Sequence, residues 1–244
     1  AGLVDDTEMA GGRGQQVPGP APRIVDLSAM RFGEGAFAYL REPLPPPLGS
    51  LRLAIYEALA PLANAQLDMF RAEVSPKPLA VQEFPSSLQE MDKLCESACP
   101  PQTMPTTIAL RYRQGGQMFS HRDLVGTVMF PWQMMLPLSS AGRDYHGGAF
   151  FVQPVKEEDG QRTACSDLMQ GDVIIFRSGL YHGLEPITRG ERYAIATTFC
   201  LTCLMEHPSR PRRDPGEVEI CYRCGSRGHR AHCCSAAAPL SLRP

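Results

Sequence analysis

The sequence lacks a long uninterrupted hydrophobic run and a recognisable targeting segment. Its longest apolar stretch, Val125–Leu138, is interrupted by polar residues and prolines. A membrane-spanning helix needs about 20 consecutive apolar residues, so this stretch is too short and too broken to cross a bilayer. We therefore expect no membrane association and predict an intracellular protein, either nuclear or cytoplasmic.

The cysteines are not arranged as in a small secreted scaffold. Disulfide frameworks are typical of short secreted chains, whereas this sequence has nine cysteines in 244 residues and no recognisable signal peptide. Four of the nine lie between Cys221 and Cys234, close to histidines. Thiols clustered beside imidazoles are typical of a metal site.

Charge and composition divide the chain into segments. From His207 to the end, seven arginines face three acidic residues, so this part has a net charge of +4, and the rest of the chain has a net charge of −6. The hydrophobic fraction of 43% is enough for a sizeable core. The predicted division is a flexible Gly/Pro-rich leader at 1–23, a main domain at 24–206, a basic Pro-rich linker at 207–220, a Cys/His module at 221–234 and a tail at 235–244.

The order of predicted elements is helices first and strands afterwards. Leu51–Phe70 has apolar residues near helical spacing, which predicts a helix, and Pro61 is expected to kink or break it. Ser86–Cys99 is predicted as a second, shorter helix that opens with two serines as candidate caps. Short apolar segments bounded by turn residues predict strands. These segments are Thr106–Arg113, Met118–His121, Gln133–Leu138, Ala149–Gln153, Asp172–Phe176, Gly183–Ile187 and Arg192–Leu201. The pattern favours an α+β fold, a sandwich or jelly roll with the helices packed on one face.

A candidate metal site begins with His121 and Asp123, which would share one face of an extended strand. His182, 59 residues beyond Asp123, is the candidate third ligand. Two imidazoles and one carboxylate with open positions form the ligand set of non-haem Fe(II) oxygenases. Arg192, at the start of the last predicted strand, is suited to binding a carboxylate through two hydrogen bonds. A His-x-Asp pair alone is a weak signal and a lone histidine is usually structural, so the interpretation depends on the surrounding motifs.

Those motifs occur as an ordered series. The series is Tyr112, His121-x-Asp123, Gly147-Gly148-x-Phe150, Gly171-Asp172, Phe176, His182 and Gly190-x-Arg192-Tyr193. Residues 30–203 thereby resemble the Fe(II)/2-oxoglutarate-dependent dioxygenases, whose fold is a double-stranded β-helix, a form of jelly roll. Smaller segments are similar to a bacterial group of these oxygenases, namely Pro43-Leu44-Pro45, Cys99, Thr106–Arg113, His121–Gly126, Phe130–Gln133 and Asp144–Gly148.

The resemblance implies a role for each site residue. His121, Asp123 and His182 would hold the iron at the catalytic centre, and Arg192 would pair with the distal carboxylate of 2-oxoglutarate. Tyr112 would hydrogen-bond the same cosubstrate, although a tyrosine on a strand is as often simply packed. The implied cofactors are Fe(II) and 2-oxoglutarate, with ascorbate a further candidate.

Three positions near the candidate site depart from the family pattern or offer alternative ligands. Several families with this fold have a serine two residues after the arginine, whereas Ala194 stands there in this sequence. We therefore expect a different cosubstrate pocket, and 2-oxoglutarate is a less secure prediction than iron. Arg189 is a second candidate for binding the carboxylate, but its position in a turn predicts solvent exposure. His146 is expected to be a loop histidine rather than a fourth ligand.

The Cys/His module has the spacing of a zinc knuckle. Cys221, Cys224, His229 and Cys234 match the C-x2-C-x4-H-x4-C pattern of CCHC zinc knuckles. Three thiolates and one imidazole complete a tetrahedral structural site, and zinc binding would supply the folding energy of so short a module. Bases stack on aromatic residues and phosphates pair with arginines in such modules, and Tyr222 with its neighbouring arginines fits single-stranded RNA or DNA. Contact with a protein partner is the alternative.

The remaining cysteines leave two interpretations open. A second, all-cysteine zinc site is one, and buried free thiols are the favoured one because cysteine is among the most buried residue types. The residues concerned are Cys95, Cys99, Cys200 and Cys203.

The predicted function combines the two sites. We expect a dioxygenase that hydroxylates or oxidatively demethylates a nucleic acid, with a methylated base as the candidate substrate and the knuckle as a tether. The sequence lacks the paired arginines of the AlkB group, which weakens that particular analogy. The alternative is a protein hydroxylase that docks a partner through the knuckle. The acidic main domain favours this alternative, because nucleic-acid channels are normally lined with positive charge. A non-catalytic module is disfavoured by the complete set of site residues.

The knuckle generates the first testable prediction. The full chain should shift the mobility of single-stranded RNA or DNA, and the shift should weaken as salt rises, because arginine–phosphate contacts release counterions. Cys224→Ser should abolish the shift by removing a zinc ligand. Binding that persists in Cys224→Ser would instead locate the nucleic-acid contact on the main domain.

Overall fold

The computed structural model describes residues 24–30, 32–155 and 161–202. The predicted leader, linker, knuckle and tail lie outside the described residues, as does Cys203, and the predicted domain boundaries stay predictions. The helices are α1 (Leu27–Met30), α2 (Pro46–Ala65), α3 (Leu67–Val74) and α4 (Leu88–Glu96). The strands are β1 (Ile24–Asp26), β2 (Gly33–Glu34), β3 (Ala36–Tyr39), β4 (Ile108–Tyr112), β5 (Gln117–His121), β6 (Trp132–Pro137), β7 (Tyr145–Gly147), β8 (Phe150–Gln153), β9 (Thr163–Cys165), β10 (Ile174–Arg177), β11 (Tyr181–Leu184), β12 (Ile187–Gly190) and β13 (Arg192–Thr198).

Two antiparallel sheets form the body of the domain. The larger sheet has the strand order β1-β3-β4-β13-β6-β10, and the smaller has the order β2-β5-β11-β8-β9. A two-stranded ribbon, β12-β7, lies beside them. Apolar side chains from both sheets form one continuous core, including Leu110, Tyr112, Met135, Phe150, Phe176 and Leu184. This arrangement is a jelly roll, which confirms the predicted fold class for the described residues.

Helices α2, α3 and α4 pack against one face of the larger sheet, whereas Leu27 of α1 belongs to the core between the sheets. Successive side chains of a strand point to opposite faces. On β6, Met135 belongs to the core between the sheets, and Met134 belongs to a second core that the helices build. In that second core, the ring of Phe130 lies 5.0 Å from Tyr56 and 5.1 Å from Phe84, between centroids. The helical layer therefore covers the outer face of the larger sheet and does not enter the space between the two sheets.

The helix ends differ partly from the sequence prediction. Ser87 caps α4 as predicted, because its Oγ accepts a hydrogen bond from the amide of Glu90 at 3.3 Å. The first long helix, however, begins at Pro46, five residues before the predicted start at Leu51. A proline there sacrifices no hydrogen bond, because N–H groups in the first turn of a helix have no helical partner. It also continues through Pro61 to Ala65, so the helix does not break at Pro61, and the predicted Leu51–Phe70 segment is divided at Gln66 instead. Burial of its inner face outweighs the one hydrogen bond that the proline removes.

One predicted strand is divided in the structure. The segment expected at Gly183–Ile187 is split between β11 in the smaller sheet and β12 in the ribbon, with Glu185 and Pro186 between them. Five further strands, each four residues long or shorter, were not predicted from the sequence; they are β1, β2, β3, β7 and β9. Among the residues that the structure describes, none of the helices combines the length and apolarity that crossing a bilayer requires.

Candidate active site

Two neighbouring strands bring the predicted metal ligands together. His121 ends β5 and lies directly opposite His182 on β11, with ring centroids 4.3 Å apart. Asp123 lies two residues beyond the end of β5, and its Oδ2 is 3.2 Å from His182 Nε2 and its Oδ1 3.5 Å from His121 Nε2. The candidate ligand atoms all lie within 4.8 Å of one another. Within the described part of the chain, no other group of three such side chains converges in this way.

Backbone carbonyls orient both imidazoles. His121 Nδ1 lies 2.8 Å from the carbonyl oxygen of Phe119, and His182 Nδ1 lies 3.4 Å from that of Leu180. An Nδ1–H that donates to a carbonyl leaves the Nε2 lone pair free, and metal-binding histidines usually have this second contact. Both Nε2 atoms face the Asp123 carboxylate. The three side chains are therefore arranged for one ion between them.

The protonation states also suit a metal. Burial, together with the neighbouring His182 ring, lowers the pKa of His121 to about 4. Burial by itself would raise the pKa of Asp123, but the two adjacent imidazoles outweigh that effect and hold its pKa well below the usual range. At neutral pH, His121 is thus neutral and Asp123 ionised, which are the forms that bind a cation.

The three side chains line a cavity of about 200 Å³ between the two sheets. The larger sheet contributes Arg192, Met135 and Gln133 to its wall. Aromatic rings make much of the remaining surface, among them Phe32, Phe37, Tyr112, Phe150 and Phe176. The cavity therefore combines a ligand set for a cation with a largely apolar interior.

Arg192 is a buried cation in this cavity. It begins β13 opposite Tyr112 on β4, and only 2% of its surface is exposed. Its Nη2 donates to the sulfur of Met135 at 3.3 Å, a weak acceptor, and its Nε has no hydrogen-bond partner. The rings of Tyr112 and Tyr145 lie 5.9 Å from its Cζ. Among the described residues no carboxylate forms an ion pair with it.

An uncompensated buried guanidinium is costly, by several kcal/mol, so this position is suited to an anionic ligand. Tyr112 lines the same cavity, and burial raises the pKa of its phenol. The hydroxyl therefore stays protonated at neutral pH and is able to donate a hydrogen bond. The roles of Arg192 and Tyr112 in cosubstrate binding nevertheless stay predictions.

The other candidates lie elsewhere. Arg189 is exposed, as expected, and its Nη2 lies 3.0 Å from Nε2 of His146. His146 belongs to strand β7 rather than to a loop, and it lies outside the group of metal ligands. Ala194 is fully buried in the core between the sheets.

The cysteines of the main domain do not form a second metal group among the described residues. Cys95 and Cys200 are buried free thiols, as the favoured interpretation expects, whereas Cys99 is exposed. Burial raises the pKa of Cys95 to about 12, so this thiol stays protonated. Gln133 also lines the cavity. It was not predicted as a site residue, although it ends the Phe130–Gln133 segment that resembles the bacterial oxygenases.

The sequence matches the Oxygenase-NA family over residues 35–200, a family described as an oxygenase catalysing oxidative methylation of damaged DNA. The chain belongs to this family. It is thus an enzyme, and the prediction of a dioxygenase from the sequence is confirmed.

Individual proteins show more distant similarity. An uncharacterised protein of Mycobacterium tuberculosis, found in two strains, is 29% identical over 171 residues, which are 64% of this chain and 69% of the relative. A PKHD-type hydroxylase of Idiomarina loihiensis is 28% identical over 134 residues, covering 54% of this chain and 56% of the relative. The crystal structure of a Pseudomonas putida prolyl-4-hydroxylase is similar with a TM-score of 0.46 and 14% identity, covering 74% of this chain and 78% of that one.

The ligand geometry predicts one divalent-metal site that depends on His121 and Asp123. We expect His121→Ala and Asp123→Ala each to weaken Mn(II) binding by at least about 100-fold, since each removes a direct ligand. Electron paramagnetic resonance of free Mn(II) during titration measures this affinity, and the thiolates of the predicted knuckle do not favour Mn(II). His146→Ala is the matched control and should bind as the wild type does. Wild-type affinity in Asp123→Ala would contradict the assignment.

Proposed function

We propose that this oxygenase is Fe(II)- and 2-oxoglutarate-dependent and that it hydroxylates or oxidatively demethylates a nucleic acid, with a methylated base as the candidate group. The observation that supports the cofactors best is the shared cavity of the His-Asp-His group and the buried, unpaired Arg192. One end provides ligands for a cation, and the other provides a partner for a carboxylate.

Iron fits the residues present. His121, Asp123 and His182 form the two-histidine, one-carboxylate set that non-haem Fe(II) oxygenases use, and it leaves positions open for further ligands. When bound, iron supplies the activation of O2 with 2-oxoglutarate as the cosubstrate. The two imidazoles and the carboxylate would hold the ion.

Arg192 and Tyr112 would hold the cosubstrate. Arg192 comes from the larger sheet and the histidines from the smaller one, so a dicarboxylate lying across the cavity has partners on both sides. The guanidinium would bind the distal carboxylate, and the Tyr112 hydroxyl would donate to the same group. Phe150 and Phe176 flank the ring of His182 at centroid distances of 6.3 and 5.0 Å, and they would keep water away from the reacting centre.

Two observations support a nucleic-acid substrate. The family description names damaged DNA, and the predicted knuckle at Cys221–Cys234 has the ligand spacing of modules that bind single strands. An enzyme that oxidises a base has to flip it from a duplex or find it single-stranded, and a knuckle tether suits the second case. The knuckle would hold the strand and leave the choice of base to the cavity.

A protein hydroxylase is the second candidate function. The net charge of −6 on residues 1–206 favours it, because a strand of phosphates is repelled by an acidic surface. In that case the knuckle would dock a protein partner.

The buried guanidinium predicts how the enzyme depends on 2-oxoglutarate. Arg192→Met should raise the Kd for 2-oxoglutarate by about 100-fold or more, because it removes a charge-assisted pair from an apolar site. Arg189→Met is the matched control, since Arg189 is exposed and pairs with His146. The Kd of this variant for 2-oxoglutarate should equal that of the wild type. Titration of the metal-loaded protein by calorimetry measures both. An unchanged Kd in Arg192→Met would refute this cosubstrate site.

The substrate class is tested by succinate release. Fe(II), 2-oxoglutarate and ascorbate are supplied with methylated single-stranded DNA, with RNA or with a peptide pool, and His182→Ala serves as the blank. We expect stimulation by nucleic acid. Hydroxylation would give a nucleoside heavier by about 16 Da, the mass of one added oxygen atom, and oxidative demethylation would give one lighter by about 14 Da, the mass of the CH2 unit that leaves when the hydroxylated methyl group is released as formaldehyde. Stimulation by peptide alone would transfer the function to protein hydroxylation. No stimulation by any of the three would overturn the proposal.

A further inference from the structure

Gln133 is a buried polar residue that lines the cavity. Neither the proposed metal site nor the proposed cosubstrate site includes it. Only 3% of its surface is exposed, and its side-chain Nε2 has no hydrogen-bond partner. Leaving such a donor unpaired costs about 1–3 kcal/mol, and buried polar groups without partners are rare in folded proteins. A ligand that accepts a hydrogen bond from this amide would remove that cost.

The sheet register locates Gln133 relative to the two known ends of the cavity. Gln133 lies between Phe176 on β10 and Thr198 on β13, so the three residues form one row across the sheet. The ring of Phe176 packs 5.0 Å from that of His182, which ties this row to the metal ligands. Arg192 begins β13 and Thr198 ends it, so the backbone rows of Arg192 and Gln133 are about 20 Å apart along the strand, at 3.3 Å per residue. The Arg192 side chain extends towards Gln133, because its Nη2 contacts the sulfur of Met135, two residues from Gln133 on β6. Gln133 lies beyond this contact, in the row of Phe176.

Two hydroxyls near Gln133 are already satisfied, whereas Thr202 Oγ1, which also belongs to the cavity lining, has no partner. Thr198 Oγ1 donates to Thr106 Oγ1 at 2.8 Å, and Thr106 Oγ1 lies 2.9 Å from the carbonyl oxygen of Cys200. These two groups are thus satisfied within the protein. The Gln133 amide is the group in its row with an unused donor.

We propose that Gln133 is the specificity-determining residue of this oxygenase and that its amide pairs with the edge of a nucleobase held beside Phe176. This inference rests on the proposed function. A carboxamide has a donor and an acceptor side by side, and so does a base edge in which a ring or exocyclic N–H adjoins an acceptor. The C=O and N–H of a trans peptide point in opposite directions, so one carboxamide reaches only one of them. The geometry of the group therefore favours a base over a peptide.

Direct binding near the metal tests the inference without turnover. The full chain is loaded with Mn(II) and 2-oxoglutarate without oxygen, and a panel of nucleosides and their N-methyl derivatives is titrated, with N-acetyl amino-acid amides as the peptide probe. Relaxation of ligand protons by Mn(II) reports only molecules held beside the metal, which separates the cavity from the knuckle. We expect nucleosides to bind and Gln133→Leu to weaken them by at least about 10-fold, as expected for loss of a bidentate pair.

The controls separate recognition from damage to the cavity. Thr198→Val removes a neighbouring hydroxyl that already donates a hydrogen bond to Thr106, so the affinity for nucleosides should equal that of the wild type. The Kd for 2-oxoglutarate should be unchanged in Gln133→Leu, and Gln133→Glu, which keeps the shape but loses the donor, should also bind weakly. If Gln133→Leu does not fold, Gln133→Glu provides the comparison.

Each contrary outcome is distinguishable from failure of the proposed function. Nucleoside binding that is equal in the wild type and Gln133→Leu would overturn the role of Gln133 and leave the nucleic-acid function intact. An equal loss in Thr198→Val would also overturn it. Binding of peptide amides alone, lost in Gln133→Leu, would refute the choice of a base. No relaxation with either probe would refute recognition by Gln133, and the succinate assay would still decide the function independently.

Discussion

The antiparallel pairing of β5 with β11 is the constraint on which the site depends. It places His121 opposite His182, two residues that are far apart along the chain. Side chains alternate between the faces of a strand, so a slip of one residue in this pairing would turn one imidazole away from the other. Asp123 follows immediately after β5, and its position is therefore determined by the same ladder. The register of two strands thus establishes the whole ligand set.

The layered architecture keeps the space between the sheets free for chemistry. Consecutive residues of β6 show how, because Met134 packs against the helices and Met135 faces the cavity. Aromatic packing around Phe130 attaches the helical layer to the outside of the larger sheet. The core that the helices build and the cavity are consequently on opposite faces of one sheet.

Three polar residues of the cavity lining have atoms without adequate partners. Arg192 has a thioether as its polar contact and an unpaired Nε, and Gln133 Nε2 and Thr202 Oγ1 have no partner. Such groups destabilise a folded chain, and proteins tolerate these violations mainly at functional sites. Arg192 and Gln133 lie on different rows of the larger sheet, and we propose that one binds the cosubstrate and the other the base. The cavity is therefore built to be completed by ligands.

The sequence by itself determined the residue types of the site and their order along the chain. The two histidines, Asp123 and Arg192 were identifiable because their chemistry suits a metal and a carboxylate and because the surrounding ordered motifs resemble those of the dioxygenases. The Ser87 cap and the main strands were also predictable, because capping and alternation are local properties. The passage of α2 through Pro61, the division of a strand at Pro186 and the very short strands were not, since tertiary packing outweighs local propensity there. Only the tertiary structure decided that Arg192 is unpaired and that Gln133 faces the cavity, because burial and partners depend on residues brought together from distant strands.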